Sequence, residues 1–430
     1  MRIQLVNLSI PALEMHLSRE EEKYTEADLK NFVGKIASIC YTSKSEDEFW
    51  NEDTEKSIKR AENLLKNGHH SPFDQVFVKL YLSEASKITL MAFNGGRFYA
   101  AEEGSDRYRP MKLSRNEQQD FDFLTQLYQE KIDELNPNPC KYIQKRKEKI
   151  ALENARLCMP TDIQYKDIFY TASLRELNYM YGWSKQFLQD RTAYPDVCKN
   201  MEQDLKDFVC FMEKRGLVMK NLNDHFDRGF AFFKKQPQRA NEFGYNYCMS
   251  YDCSIACAGQ MERHRFLNCN FDVKNSDEIE FYMPKIIVDD LRKKAEVEAI
   301  YEKYRSRYPQ GTLGTMTECA TINDFLRVLY ERDCAMAQYE INEVVQKNLT
   351  KYLDGLRNET EDVETLIHLS KINADRGPHI DNLRAKRLAN EEYQKMLEHY
   401  KDKQFCEANG HCKGDACGWD EGRHFLTRRY

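Results

Sequence analysis

The sequence predicts an α+β chain made of two tandem copies of one helix-and-strand plan, followed by a helical tail. Three observations carry this. Two stretches, 76–82 and 243–252, read as strands, each set among segments with helical periodicity. Short motifs then recur in order: Arg156-Leu157-Cys158-Met159-Pro160 answers Arg305-Ser306-Arg307-Tyr308-Pro309, and Ala172-Ser173-Leu174-Arg175 answers Ala320-Thr321-Ile322-Asn323. Gly95-Gly96-Arg97 sits where Arg263-His264-Arg265 sits in the second copy. Finally, the character of the chain changes after residue 352, where a charged helix gives way to a cysteine-containing end. The expected domains are therefore 1–212, 213–352 and 353–430.

Taken in order, residues 1–20 read as a short strand and loop. Residues 20–68 are mostly helical, with Leu29, Phe32, Ile36 and Ile39 near the 3.6 period, and Asn67-Gly68 stops the run. In 76–82, Val76, Val78, Leu80 and Leu82 take one face and Phe77, Lys79 and Tyr81 the other. A helix over 86–93 is broken by Asn94-Gly95-Gly96, and 97–108 reads as a polar loop. Helices follow over 117–135, stopped by Asn136-Pro137-Asn138-Pro139, then over 141–157, 168–183, 186–191 and 197–215. In the second copy a strand over 243–252 leads to a helix over 253–265, a charged helix over 284–304 and a helical run over 318–349. The tail carries a helix over 380–402 and then Cys406, His411, Cys412, Cys417 and His424. Thiolate and imidazole suit zinc, but the cysteine spacing is not a paired CxxC, and the expectation is thiols without metal.

The chain has 430 residues, 41% apolar and 31% charged, enough for a large buried core. Its net charge of −6 argues against nonspecific nucleic-acid binding. No charged n-region precedes an apolar run and no membrane-length apolar stretch occurs, so neither a signal peptide nor a membrane partner is expected. Fourteen cysteines without a secretory signal fit reduced thiols in a cytoplasmic protein.

The segment from Gly259 to Asn270 concentrates chemistry. Arg263-His264-Arg265 follows an apolar run that would normally be buried, and such cations need anionic partners. A structural salt-bridge cluster and a ligand site both satisfy that need.

Around this segment the residues resemble a family, the flavin-dependent thymidylate synthases. Asn67-Gly68-His69-His70-Ser71-Pro72-Phe73, the strand after it, and Glu103-Gly104-Ser105-Asp106-Arg107-Tyr108 are similar to the family's first half. The family signature is Arg-His-Arg-x-x-Ser, a short spacer, then Ser-x-Arg. The first copy keeps the closing part and has Gly95-Gly96-Arg97 and Ala100 in place of the opening. The second keeps Gln260 and Arg263-His264-Arg265, has Asn268 for the serine, and lacks Ser-x-Arg. Downstream, Arg305 with Pro309, then Arg332, then Ala337-Gln338-Tyr339-Glu340-Ile341 follow the family's second half. The resemblance covers roughly 55–350, apart from 215–240.

The resemblance implies a helix-plus-antiparallel-sheet fold, a homodimer that rebuilds a pseudo-tetramer, and sites that take their halves from different copies. It implies an enzyme that methylates deoxyuridylate (dUMP) to thymidylate (dTMP), with methylenetetrahydrofolate as carbon donor and NADPH-reduced FAD as hydride source. By resemblance, Ser105, Arg107 and Arg305 face the nucleotide phosphate, with Gln260 and Arg263 also turned to the nucleotide. Arg332 is the catalytic candidate, facing the uracil edge. Arg263, His264, Arg265, Ser71, Glu103 and Arg175 fall at flavin-contacting positions, and His69 and Tyr108 near the folate. No Gly-x-Gly-x-x-Gly follows a strand, so a Rossmann site is not expected. A related flavin-dependent nucleotide-modifying enzyme, or a non-catalytic nucleotide-binding relic of the fold, would carry similar motifs.

Overall fold

The computed structural model describes residues 1–9, 25–40, 43, 45–96, 98–104, 111–139, 141–222, 232–233, 239–334, 336–372 and 378–410. Arg97, Ser105, Arg107, Tyr108, His411, Cys412, Cys417 and His424 lie outside them. The chain forms two compact units, Met1–Leu113 with Thr161–Lys234, and Ser114–Pro160 with Lys235–Tyr430. Elements below are numbered in chain order.

The first unit is built on an antiparallel sheet of β1 (Arg2–Ser9), β2 (Phe77–Ser86), β3 (Tyr99–Glu103) and β4 (Gln164–Ser173), in the order β1-β2-β4-β3. The alternation read from the sequence holds in β2: Val78, Leu80 and Leu82 are buried, while Phe77 and Lys79 face out. The helices are α1 (Glu26–Ser38), α2 (Glu46–Trp50), α3 (Thr54–Lys66), α4 (Lys87–Asn94), α7 (Leu174–Gln189) and α8 (Glu202–Lys214). Gly34 lets α1 and α3 close on each other, because a Cβ there would fall 1.9 Å from the carbonyl oxygen of Ser57. Phe93 of α4 packs edge-on against Tyr170 of β4 and Phe208 of α8, tying both helices to the sheet.

The second unit is built on β5 (Asn246–Ser254), β6 (Asn268–Asp272) and β7 (Leu313–Thr321), in the order β5-β7-β6 and again antiparallel. Its helices are α5 (Arg115–Leu135), α6 (Lys141–Ala155), α9 (Ile255–Met261), α10 (Lys285–Val288), α11 (Leu291–Tyr304), α12 (Ile322–Arg332), α13 (Tyr339–Ile372), α14 (Pro378–Glu398) and α15 (Phe405–Asn409). Tyr352 of α13 packs with Phe243, Tyr247 and Phe325, fixing that helix against β5 and α12. None of the helices among the described residues is long and apolar enough to cross a membrane.

Three expected segments come out differently. The polar loop over 97–108 contains β3, the helix over 168–183 is β4 running into α7, and the helical run over 318–349 begins in β7. In β4, Ile168, Tyr170 and Ala172 are buried while Phe169 is 49% exposed, so apolar residues on both faces hide the period of two. The inward face of β7 offers only Met316 and the acidic Glu318. The tail does not start a new element at 353, because α13 runs unbroken across that position.

The two units repeat details of construction. Ser86 ends β2 and caps α4, and Ser254 ends β5 and caps α9. Each cap is held by a buried carboxylate: Ser86 N donates to Asp204 Oδ2 at 3.0 Å, and Ser254 N to Glu340 Oε1 at 2.7 Å. One residue after Pro160, the Thr161 carbonyl accepts from Ile88 N at 3.4 Å; one residue after Pro309, the Gln310 carbonyl accepts from Ala256 N at 2.9 Å. Within the second unit the two matching segments pair with each other, with Pro160 opposite Pro309 and Gln310 N donating to Met159 O at 2.9 Å.

Candidate active site

In the second unit the site grows from the end of α9. Ser254 Oγ accepts from Cys257 N and starts the helix, and its last turn presents Gln260. The chain then turns tightly, with His264 N donating to Met261 O at 3.0 Å and Leu267 N to His264 O at 2.8 Å. This turn buries His264 and leaves Arg263 and Arg265 exposed on either side.

Arg332, at the last residue of α12, meets this turn. Its Nε donates to His264 Nε2 at 2.8 Å and its Nη2 to the Gln260 carbonyl at 3.2 Å. A nitrogen that accepts from a guanidinium carries no proton, so the His264 proton sits on Nδ1, which lies 3.4 Å from Glu331 Oε2. The ring therefore holds the guanidinium by one edge and is oriented by a carboxylate at the other. Arg327 lies over the Phe266 ring at 4.7 Å and braces the outer side of the turn.

A polar chain runs behind this pair. Gln338 Oε1 accepts from Arg156 Nη2 at 2.8 Å and from Gln260 Nε2. Gln338 Nε2 reaches Glu340 Oε2 at 3.4 Å, and Glu340 Oε2 accepts from Ser254 Oγ at 2.6 Å. Burial pushes the Glu340 carboxyl up to about 7, against the hydrogen bonds from Ser254. Arg156, which answered Arg305 in the sequence, thus reaches the same cluster as Gln260.

Arg305 is placed otherwise. Its Nε and Nη2 bind the two oxygens of Glu302 at 2.6 and 2.7 Å, and Nη1 donates to the carbonyls of Ser276 and Ile279 at 3.0 and 2.9 Å. Four of its five donors are engaged in these contacts, so a phosphate gripped by two of its N–H groups would have to displace one of them.

In the first unit the structure gathers Ser71 and Arg175. Ser71 opens a 3₁₀ turn, Ser71–Gln75, whose Asp74 accepts from Arg175 Nη1 at 2.8 Å and from Ser173 Oγ, the cap of α7, at 2.9 Å. His69 stands exposed just before this turn. Glu103 is neither in a loop nor solvated: it ends β3 with its side chain buried, 2.9 Å from Lys166 Nζ and 3.7 Å from Lys87 Nζ. Lys166 Nζ also donates to the Gly104 carbonyl at 3.0 Å, fixing the backbone just ahead of Ser105. Arg191 lies past the end of α7 and pairs with Glu202 at the surface.

Sequence reasoning did not single out the residues that these side chains contact. Glu331, Asp74, Lys87 and Lys166 were given no role, and Gln338 only a place in a motif. Of these only Gln338 had a signal, in Ala337-Gln338-Tyr339-Glu340-Ile341. Among the described residues no group of His, Cys, Asp and Glu is placed to hold a metal ion, and of the tail cluster only Cys406 is described.

Residues 23–184 match the family model described as thymidylate synthase complementing protein. The family recognised from the motifs is thus the one whose model matches, over the segment holding His69, Ser71, Glu103, Ser105, Arg107, Tyr108 and Arg175. No match is found among curated proteins. Among solved structures the chain matches the flavin dependent thymidylate synthase ThyX from Helicobacter pylori, complexed with FAD and dUMP. That match is 14% identical with a TM-score of 0.29, covering 52% of this chain and 100% of the other. It also matches the UMP/dUMP methylase PolB from Streptomyces cacaoi, bound with 5-Br dUMP, at 17% identity and a TM-score of 0.27, covering 50% of this chain and 96% of the other.

Proposed function

We propose that this chain is a flavin-dependent thymidylate synthase-like enzyme that methylates dUMP to dTMP. The family match over 23–184 is the observation that carries the reading. The clustering of Gln260, His264 and Arg332 in the second unit supports it.

The side chains suit the groups such an enzyme handles. Exposed Arg263 and Arg265 offer planar forks for a phosphate or pyrophosphate. Arg332 is half-buried and already oriented by His264, so its charge is aimed before a substrate arrives. In this reading Arg332 stabilises negative charge spreading over the uracil ring, and Gln260 and Arg263 hold the nucleotide. Ser105 and Arg107 take its phosphate, while Ser71, Glu103 and Arg175 contact flavin and His69 and Tyr108 the folate. Bound FAD, reduced by NADPH, supplies the hydride, and methylenetetrahydrofolate supplies the carbon. Lys166 then serves by holding Glu103 and Gly104 in place.

The chain is further proposed to be a tandem duplication and to assemble as a homodimer. Support for the duplication comes from the shared strand order, the serine caps on buried carboxylates, and the carbonyl bonds after Pro160 and Pro309.

Titration of FAD into the purified chain tests the cofactor assignment. Bound flavin should show a shifted absorbance band and quenched fluorescence, and Arg263→Ala with Arg265→Ala should weaken binding by at least tenfold. Failure of the unsubstituted chain to bind FAD would remove the proposal.

A further inference from the structure

We propose that Cys248 and Cys319 are a redox pair that closes into a disulfide on exposure to a peroxide, with Arg239 selecting the thiol that reacts first. This stands apart from the flavin chemistry and does not depend on it.

The geometry follows from the sheet. Cys248 on β5 lies directly opposite Cys319 on β7. On its other side Cys248 N donates to Glu242 O at 3.0 Å and Cys248 O accepts from Glu242 N at 2.8 Å. In a strand the N–H and C=O of one residue point the same way, so neither group of Cys248 is turned toward Cys319. The two cysteines are therefore a non-hydrogen-bonded pair, the kind in which the Cα atoms come to about 4.5 Å and the side chains approach most closely. That spacing lies within the range a disulfide spans without moving the backbone. The sulfurs are 2.6 Å apart, closer than unbonded sulfurs normally come and about half an ångström beyond a bond.

The two thiols differ in environment. Cys248 is buried, and burial with the neighbouring thiol pushes it up to about 12. Cys319 is partly exposed, and Arg239 Nη1 donates to its sulfur at 3.4 Å. Partial exposure gives a peroxide access to the Cys319 sulfur, and the guanidinium beside it is placed to hydrogen-bond the departing hydroxide. The Cys319 thiolate attacks one peroxide oxygen. An S–O bond forms, the O–O bond breaks, and hydroxide leaves and takes a proton to become water. The Cys248 sulfur then attacks the Cys319 sulfur. An S–S bond forms, the S–O bond breaks, and the departing hydroxide takes the Cys248 proton. Two thiols are oxidised and one peroxide is reduced to two waters. The bond ties together β5 and β7, the strands that lead into α9 and α12 and so to Gln260 and Arg332.

The test uses the full chain. It is treated with a small excess of hydrogen peroxide, quenched with N-ethylmaleimide, and digested without reductant for mass spectrometry. The expected product is a peptide pair linked between Cys248 and Cys319 that separates on adding dithiothreitol, and Arg239→Gln should form it several-fold more slowly. Recovery of both cysteines alkylated, a link from either to a different cysteine, or a stable sulfenic acid on Cys319 with Cys248 alkylated would each overturn the pair. An unchanged rate in Arg239→Gln would overturn the role given to Arg239.

Discussion

At the scale of single residues, Arg332 is held by two unlike acceptors, the His264 ring and the Gln260 carbonyl. A lysine has one nitrogen and cannot reach both in the same geometry. Arg332→Lys should therefore lower the rate of dTMP formation by about 100-fold or more, in line with removal of a preorganised donor. Flavin absorbance should be retained, which would separate lost chemistry from lost folding. Glu340 makes a second prediction. Its carboxyl titrates at about 7 in the fold against an ordinary 4.5. The folded chain thus keeps a proton that the unfolded chain releases, so stability falls as pH rises from about 4.5 to about 7 and then levels off. The loss is up to ~3 kcal/mol. Urea unfolding at several pH values should show this slope, and Glu340→Gln, which keeps an acceptor for Ser254 N, should flatten it. The sequence singles out Arg332 by its spacing to Ala337-Gln338 but not its neighbour Glu331: which carboxylate meets a histidine nearly seventy positions away is decided by packing of α12 against the turn after α9.

Among elements, two of the strands that escaped the sequence carry a charged group where an apolar one is expected. β3 turns Glu103 inward to meet Lys166 of β4, and β7 turns Glu318 inward to Tyr247 and Tyr251 at 2.8 and 2.6 Å. Buried charge is affordable only with such partners, and partners from distant strands leave no local periodicity. β2 was legible because Val78, Leu80 and Leu82, the buried positions of its alternating stretch, are all apolar. The serine caps carry a prediction at this scale. Ser254→Ala removes both the cap of α9 and a donor to buried Glu340, and should cost about 1–2 kcal/mol by chemical denaturation. Ser45→Ala, at the exposed cap of short α2, should cost less than about 1 kcal/mol.

For the molecule as a whole, the paired motifs led the sequence to a two-copy plan, and the β2-β4-β3 order of the first sheet is matched by β5-β7-β6 in the second. The compact units were not legible, because residues 114–160 pack with the later part of the chain and only tertiary contacts reveal that. The family match spans 23–184, while Gln260, His264 and Arg332 stand beyond it. An enzyme reading must therefore hold for residues on both sides of that limit. The most direct measurement is turnover: purified chain with dUMP, methylenetetrahydrofolate, FAD and NADPH, followed by chromatography for dTMP. The account predicts dTMP that disappears when either FAD or NADPH is left out. A chain that binds FAD and dUMP yet returns the dUMP unchanged would contradict it.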